Sequence, residues 1–231
     1  MKYVIANWKA NLNLAGVQAF IDGTKQLAAG GQLPATTETL AIVAPTSIFY
    51  THLKNQDLPV KVGLQDISPF AGGAYTGEVT PQNLNDCAPE YIIVGHSERR
   101  REYHEDNALI VRKAQSCWAL DATPIICFDE PEAADLSAKL QEFMDKPMIL
   151  AYEPVSAIST SGNAGNLDPA LLSQKLTAFR QLFPDKDIIY GGSVKADNAH
   201  SYAQVCDGLL VGSASLQADS YWAIVKNFSS K

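Results

Sequence analysis

Eight short apolar runs, spaced along the whole of this 231-residue chain, constrain its fold more than any other feature. Each run is rich in Val, Ile and Leu and lacks the polar alternation that a half-exposed strand would show. Such runs are typical of parallel strands covered by helices on both faces. They span residues 3–6, 40–44, 60–64, 91–94, 124–128, 148–152, 188–190 and 208–211.

Amphipathic segments that could form helices lie between most of these runs, most clearly at residues 14–28, 107–118, 169–183 and 215–228. A strand followed by a helix, eight times over, predicts a single (β/α)₈ barrel with eight parallel strands and outer helices. The main alternative is a doubly wound open sheet, which usually carries a Gly-x-Gly-x-x-Gly turn after its first strand. Here that turn reads Asn7-Trp8-Lys9-Ala10-Asn11, so the barrel is favoured.

The composition is ordinary for a chain with one sizeable core, since 46% of the residues are hydrophobic and 19% are charged. No apolar run approaches the roughly 18 residues that span a bilayer. The first residues lack the apolar stretch and cleavage site of an export signal, and no linker interrupts the chain. We therefore expect one domain over residues 1–231, a cytoplasmic location and no membrane partner.

The charge and the cysteines exclude several kinds of partner. A net charge of -7 argues against nucleic acid. The four cysteines are scattered, without Cys-x-x-Cys pairs or metal-type spacing to histidine, so free thiols are expected and no metal site is indicated. In so acidic a chain, a phosphate-binding site would need positive potential made locally by a lysine and backbone N–H groups.

Polar residues follow several of the predicted strands at their C-terminal ends, where barrels of this kind build their sites. A carboxylate that faces a histidine and a lysine can remove a proton next to a carbonyl group. Small-residue turns that lead into helices can bind phosphate through free N–H groups. The residues concerned are Asn7 and Lys9 after strand 1, His96, Ser97 and Glu98 after strand 4, Glu153 after strand 6, and the turns 191–193 and 212–213 after strands 7 and 8.

Each candidate also has a structural interpretation. Glu153, taken alone, could equally be an ion-pair residue, and an isolated histidine such as His96 is more often part of a core. Lys9 is the stronger case, because a lysine directly after a buried strand is costly unless it meets an anion. Asn7 could orient Lys9 or be purely structural. A short helix beginning at Ser97 would disfavour protonation of His96.

Six segments, in order along essentially the whole chain, resemble the signatures of the triosephosphate isomerase family. Gly-His-Ser-Glu-Arg-Arg is the most specific of them, whereas Asn-Trp-Lys alone is weak. The segments are Asn7-Trp8-Lys9, Ala74-Tyr75-Thr76-Gly77-Glu78, Gly95-His96-Ser97-Glu98-Arg99-Arg100, Ala151-Tyr152-Glu153-Pro154-Val155, Tyr190-Gly191-Gly192-Ser193-Val194 and Asp207-Gly208-Leu209-Leu210-Val211-Gly212.

The resemblance implies a cofactor-free isomerase of glycolysis and gluconeogenesis that interconverts dihydroxyacetone phosphate and glyceraldehyde 3-phosphate. It implies that Glu153 moves the proton through an enediolate, with His96 as a neutral electrophile and Lys9 as electrostatic stabiliser. Asn7 and Glu98 are expected to position these groups. Phosphate contacts are expected from the backbone N–H groups of Ser159, Ser193, Gly212 and Ser213.

The loop of residues 66–80 resembles the family's interface loop, whose tip reaches into a neighbouring subunit. A homodimer is therefore implied, with Tyr75, Thr76 and Glu78 at the interface. Tyr75 and Phe70 would supply apolar anchors of the kind that bury well between proteins. The alternative for this segment is a flexible surface loop.

The chain departs from the family pattern in the lid, where Ser156 replaces a tryptophan and Ser159 and Ser161 replace glycines. We expect the chemistry to persist with a less tightly anchored lid. Asp66 stands where the family commonly has asparagine, and the segment from 128 to 148 is shorter than usual.

Two other functions stay open on sequence grounds. One is another phosphate-binding barrel enzyme, such as an aldolase or an indole-forming synthase. A Schiff-base aldolase would need a lysine within a middle strand, and strands 4 to 7 contain none. The other is a catalytically weakened relative that acts as a phosphate-binding or scaffold protein, which the substituted lid favours and the set Lys9, His96 and Glu153 disfavours.

Overall fold

A computed structural model describes residues 1–34, 38–154 and 166–229 of the chain. All eight predicted strands are present. They are β1 (Lys2–Asn7), β2 (Thr39–Ala44), β3 (Lys61–Val62), β4 (Tyr91–Val94), β5 (Thr123–Phe128), β6 (Ile149–Tyr152), β7 (Asp187–Gly191) and β8 (Gly208–Val211). They form one parallel sheet in the order β3-β2-β1-β8-β7-β6-β5-β4.

The two ends of this order, β3 and β4, meet through a parallel bridge between Leu64 and Ile92. The Leu64 N–H donates to the carbonyl of Tyr91 at 3.0 Å, and the Ile93 N–H donates to the carbonyl of Leu64 at 2.9 Å. These bonds close the sheet on itself, so the predicted (β/α)₈ barrel is confirmed over the open sheet.

Helices surround the barrel where the amphipathic segments predict them. They are α1 (Leu14–Ala29), α2 (Tyr50–Lys54), α3 (Pro81–Leu84), α4 (Ser97–Tyr103), α5 (Asn107–Trp118), α6 (Glu130–Leu140), α7 (Pro169–Leu182), α8 (Ala199–Tyr202) and α9 (Ala218–Ser229). The last one begins three residues later than predicted, because Ser213–Ser215 forms a tighter 3-10 turn. No helix in the described ranges is both long and apolar enough to cross a bilayer.

Side-chain caps start several of these helices. Asn13 accepts the Gly16 N–H at α1, and Asp106 accepts the Leu109 N–H at α5. Asp168 accepts two N–H groups at α7, which has proline in its first turn. Each cap satisfies donors that have no partner within the helix.

The strands are apolar on both faces because both faces are buried. Alternate residues point into the barrel, where Ile5, Ile93, Ile149 and their equivalents form one cluster. The residues between them, such as Val4, pack against the helices in a second and larger cluster. Burial on both sides is why the strands show no polar alternation.

His104 ends α4 in a left-handed conformation, with φ of 56°. A side chain with a Cβ atom is strained there, whereas glycine adopts this conformation freely. We expect His104→Gly to raise the free energy of unfolding by about 0.5–1 kcal/mol, measured by urea denaturation. The matched variant His104→Ala keeps the Cβ atom and should give no gain. An equal gain from alanine would contradict the conformational explanation.

Candidate active site

Lys9 follows β1 in a strained backbone conformation, with φ of 50°. The side-chain oxygen of Asn7 accepts the Lys9 N–H at 3.1 Å, in keeping with the orienting role considered for Asn7. The Lys9 ammonium meets an anion, as its position requires, because its Nζ lies 2.7 Å from Oε1 of Glu98. Asn7 and Glu98 thus fix the two ends of this residue.

Gln65 also holds this turn, although the motifs do not single it out. Its Nε2 donates to the carbonyls of Lys9 and Ala44, both at 2.9 Å. The one signal in the sequence is that Gln65 is the first polar residue after the third apolar run. It ties the strained Lys9 turn to the ends of β2 and β3.

His96 follows β4 directly after Gly95, which has φ of 68°. A Cβ atom at Gly95 would lie 2.6 Å from Ile110, so only glycine fits this turn. Helix α4 begins at Ser97 as predicted, and its Glu98 N–H donates to Nδ1 of His96 at 3.2 Å. Since Nδ1 accepts this bond, the proton of the neutral ring lies on Nε2.

Glu153 stands at the end of β6 and is only 5% exposed. Its Oε2 accepts the Ser97 N–H at 3.1 Å, and its Oε1 lies 3.1 Å from Nε2 of His96. A Cβ atom at Gly191 would lie 2.9 Å from Cγ of Glu153, so the glycine makes room for this carboxylate. Residues at the ends of three strands, β4, β6 and β7, therefore determine the position of the Glu153 carboxylate.

Burial is the largest influence on the pKa of Glu153 and raises it. The charge and hydrogen bond of His96, the Ser97 N–H and the Lys9 charge together outweigh burial, so the pKa is lowered below its ordinary value. The carboxylate is therefore ionised at neutral pH. A base must be in this form to accept a proton.

The helix that starts at Ser97 predicted a lowered pKa for His96, but the pKa is raised. Burial is again the largest influence and lowers this pKa, but the charge and hydrogen bond of Glu153 outweigh it, and the net shift is upward. The prediction rested on the helix start alone. It did not include the Glu153 carboxylate, whose Oε1 lies 3.1 Å from Nε2 of His96. When the ring is neutral, the Glu98 N–H bond to Nδ1 selects the tautomer with its proton on Nε2.

These side chains line a single small cavity at the C-terminal end of the barrel. It measures about 30 Å³, and its walls are Asn7, Lys9, His96, Glu153, Gly191, Gly192, Leu210 and Gly212. The strands thus bring together the predicted carboxylate, imidazole and ammonium groups. The described ranges hold no cluster of three or more His, Cys, Asp or Glu side chains that could bind a metal ion.

The predicted phosphate contacts are described in part. A Cβ atom at Gly212 would lie 3.7 Å from Cε of Lys9, and Ser213 begins the 3-10 turn that follows. The Ser193 carbonyl accepts Nδ2 of Asn198 at 3.0 Å, which braces the turn after β7. Ser159, like Ser156 and Ser161, lies outside the described residues.

The loop of residues 66–80 lies beside this cavity and does not line it. Tyr75, Thr76 and Glu78 are exposed, and the ring of Tyr75 stacks on Phe70 with centroids 3.8 Å apart. Glu78 lines a neighbouring cavity of about 370 Å³ that it shares with Lys9 and Glu98. Lys9 and His96 line both cavities.

The unusual Asp66 belongs to a buried cluster of charges. Its carboxylate lies 2.8 Å from Nε of Arg99 and 2.7 Å from Nζ of Lys113, while Glu105 pairs with the same two cations at 2.6 Å. Burial, the largest influence, outweighs both cations and raises the pKa of Asp66. Arg99 is thus held by the two carboxylates of Asp66 and Glu105.

Comparisons with known proteins identify the family of the chain. The family model described as triosephosphate isomerase matches residues 2–228. A triosephosphate isomerase of Dictyoglomus turgidum is 31% identical over 251 aligned positions, covering 98% of this chain and 99% of that protein. One of Streptococcus pyogenes serotype M2 is 34% identical and covers 96% of each. With the barrel and its three converging side chains, these matches establish that the chain is an isomerase of the triosephosphate isomerase family.

Proposed function

We propose that this chain interconverts dihydroxyacetone phosphate and D-glyceraldehyde 3-phosphate by proton transfer through an enediolate. The observation that carries the proposal is the meeting of Glu153, His96 and Lys9, from three separate strands, around one cavity. The printed names of the relatives supply the substrate class. The barrel alone does not identify the substrate class, because this fold supports many different reactions.

Glu153 acts as the base in this proposal. The cavity of about 30 Å³ has room for about one water molecule, so a three-carbon substrate must separate Glu153 from His96. Starting from dihydroxyacetone phosphate, the released carboxylate takes the proton from C1 and returns it to C2, while the hydroxyl proton moves from O1 to O2 through the His96 side chain. Its burial strengthens the electrostatic interactions with the developing charge.

His96 and Lys9 stabilise the enediolate. The Nε2–H group, which lies 3.1 Å from Oε1 of Glu153, donates to the substrate oxygens once the substrate lies between them. The Lys9 ammonium supplies the local positive charge that a chain of net charge -7 needs at a phosphate site. Glu98 positions both residues, by its carboxylate to Lys9 and its N–H to His96.

Backbone N–H groups hold the phosphate. Those of Gly212 and Ser213 stand at the start of a 3-10 turn beside the Lys9 side chain, and that of Ser193 follows β7. The contribution of Ser159 rests on the family resemblance alone. We further propose that the reaction needs no metal or organic cofactor, and that residues 1–231 form one domain acting in the cytoplasm.

The test is a coupled assay of the purified chain with glyceraldehyde 3-phosphate, before and after treatment with EDTA. We expect turnover that EDTA leaves unchanged. A chain that binds inorganic phosphate without turnover would instead be the weakened relative acting as a phosphate-binding or scaffold protein. A chain that does neither would remove the proposal altogether.

We also propose that the chain forms a homodimer through the loop of residues 66–80. The loop tip is exposed beside a cavity large enough to receive side chains, which adjoins Lys9. Tyr103, 67% exposed, lines the same cavity, and Ile48, 77% exposed, follows its lining residue Ser47. Exposed apolar side chains grouped with Tyr75 around one cavity favour contact with another protein.

Tyr75→Glu is expected to weaken the dimer by at least about tenfold, because it places a charge at the apolar centre of the interface. Sedimentation velocity over a dilution series measures the dissociation constant. The control is Leu171→Glu, which changes an exposed side chain on α7 and should leave association unchanged. Equal dissociation constants for Tyr75→Glu and the unaltered chain would show that this loop does not form the interface.

A further inference from the structure

Two tyrosine hydroxyls hold the backbone of a single residue, Leu167, just before α7. The hydroxyl of Tyr190 accepts the Leu167 N–H at 3.2 Å. The hydroxyl of Tyr202 donates to the Leu167 carbonyl at 2.9 Å. The two ring centroids lie 4.9 Å apart. Both backbone polar groups of Leu167 are therefore satisfied by side chains.

The two tyrosines flank the turn that follows β7. Tyr190 precedes Gly191-Gly192-Ser193, and Tyr202 ends α8, the helix after this turn. A Cβ atom at Gly192 would collide with the hydroxyl and ring of Tyr190, so the turn packs directly on that ring. Leu167, the two rings and the turn after β7 thus form one packed unit.

The Tyr202 hydroxyl donates a hydrogen bond to the Leu167 carbonyl, and it is not needed to fill space. Tyr202 is buried, and a phenylalanine ring would fill the same volume without an oxygen that requires a partner. Burial, together with nearby Tyr190, Cys206 and Asp168, raises the pKa of Tyr202, so its hydroxyl keeps its proton. It is therefore a permanent donor to Leu167.

We propose that Tyr202 is a positioning residue that fixes Leu167 against the turn of residues 191–193 and so holds the phosphate-binding side of the site in shape. The proposal rests on the function proposed above. Leu167 lies on the stretch of chain that returns from Glu153, at the end of β6, to α7. Loss of the hydroxyl leaves Leu167 held by Tyr190 alone, and the spacing between Leu167 and the turn of residues 191–193 relaxes.

Tyr202→Phe tests the proposal, since it removes one oxygen and keeps the ring. We expect the dissociation constant of inorganic phosphate, measured by calorimetry, and KM for glyceraldehyde 3-phosphate to rise about fivefold. The value of kcat should stay within about twofold, because Glu153, His96 and Lys9 do not contact Tyr202. Hydrogen exchange of the Leu167 amide, followed by NMR, should become faster.

Tyr221→Phe is the matched control. Tyr221 is equally buried, and its hydroxyl bonds to the carbonyls of Val4 and Ile42 within the core. It should lower the melting temperature without changing phosphate affinity or Leu167 exchange. A purely structural Tyr202 would behave in the same way as this control, and that result would overturn the proposal.

The readouts separate this inference from the proposed reaction. If the unaltered chain lacks isomerase activity, the proposed function fails, yet phosphate calorimetry and Leu167 exchange still decide the role of Tyr202. Faster exchange together with weaker phosphate binding supports that role. Unchanged phosphate affinity in Tyr202→Phe, whatever the exchange rate, contradicts it.

Discussion

Glu153→Gln is expected to lower kcat by about 10³- to 10⁴-fold, because it removes the group proposed to carry the proton between C1 and C2. Glutamine has nearly the same shape and can still accept the Ser97 N–H, so the fold should persist. KM should change little, since the phosphate contacts are untouched. The coupled assay with glyceraldehyde 3-phosphate measures both constants.

Two further variants show whether the carboxylate itself matters. Glu153→Asp keeps the charge but withdraws it by one methylene, and a displacement of about 1 Å costs about 100-fold in rate. Glu90→Gln alters an exposed carboxylate paired with Lys61 and should be neutral. If Glu153→Gln retained a tenth or more of the activity, Glu153 would not be the base.

His96→Gln is expected to lower kcat/KM by about 100- to 1000-fold, the usual loss when one donor to a developing oxyanion is removed. It should also move the pH profile. His96 lowers the pKa of Glu153 more than any other group, so without it burial dominates and that pKa rises. The acid limb of kcat/KM, which reports the base in the free enzyme, should therefore shift to higher pH.

Stability should change with pH in a related way. Because the pKa of Glu153 is lowered in the folded chain, its ion pair stabilises the fold above the ordinary glutamate pKa of about 4.3. This stabilisation is lost as pH falls through the lowered pKa. The raised pKa of His96 reflects the same ion pair, which is fully formed below the ordinary histidine pKa of about 6.5 and is lost as pH rises through the raised value.

His96→Gln removes this ion pair and leaves a buried carboxylate with a raised pKa, so the variant should be less stable than the unaltered chain near neutral pH, and the difference should shrink as pH falls. Urea unfolding followed by circular dichroism at several pH values measures this difference, and kcat/KM from pH 4 upward measures the catalytic limb. His200→Gln, an exposed change, is the control. An acid limb at the same pH in His96→Gln and the unaltered chain would mean that His96 does not tune Glu153.

The sequence by itself determined the barrel and the main catalytic candidates. Strands that are buried on both faces must be apolar throughout, so their pattern is visible without coordinates. Polar residues directly after such strands must lie at one end of the barrel. Lys9, His96 and Glu153 could therefore be placed together before any distance was known.

The tertiary structure alone decided the contacts that tune these groups. The Glu153–His96 contact, which reverses the expected direction of the His96 pKa, joins strands β4 and β6. Gln65 reaches back to Lys9, and Tyr202 reaches back to Leu167. None of these pairs shares a helical or strand period, so no local pattern could reveal them. Their energies depend on distance and burial, which exist only once remote segments of the chain have packed together.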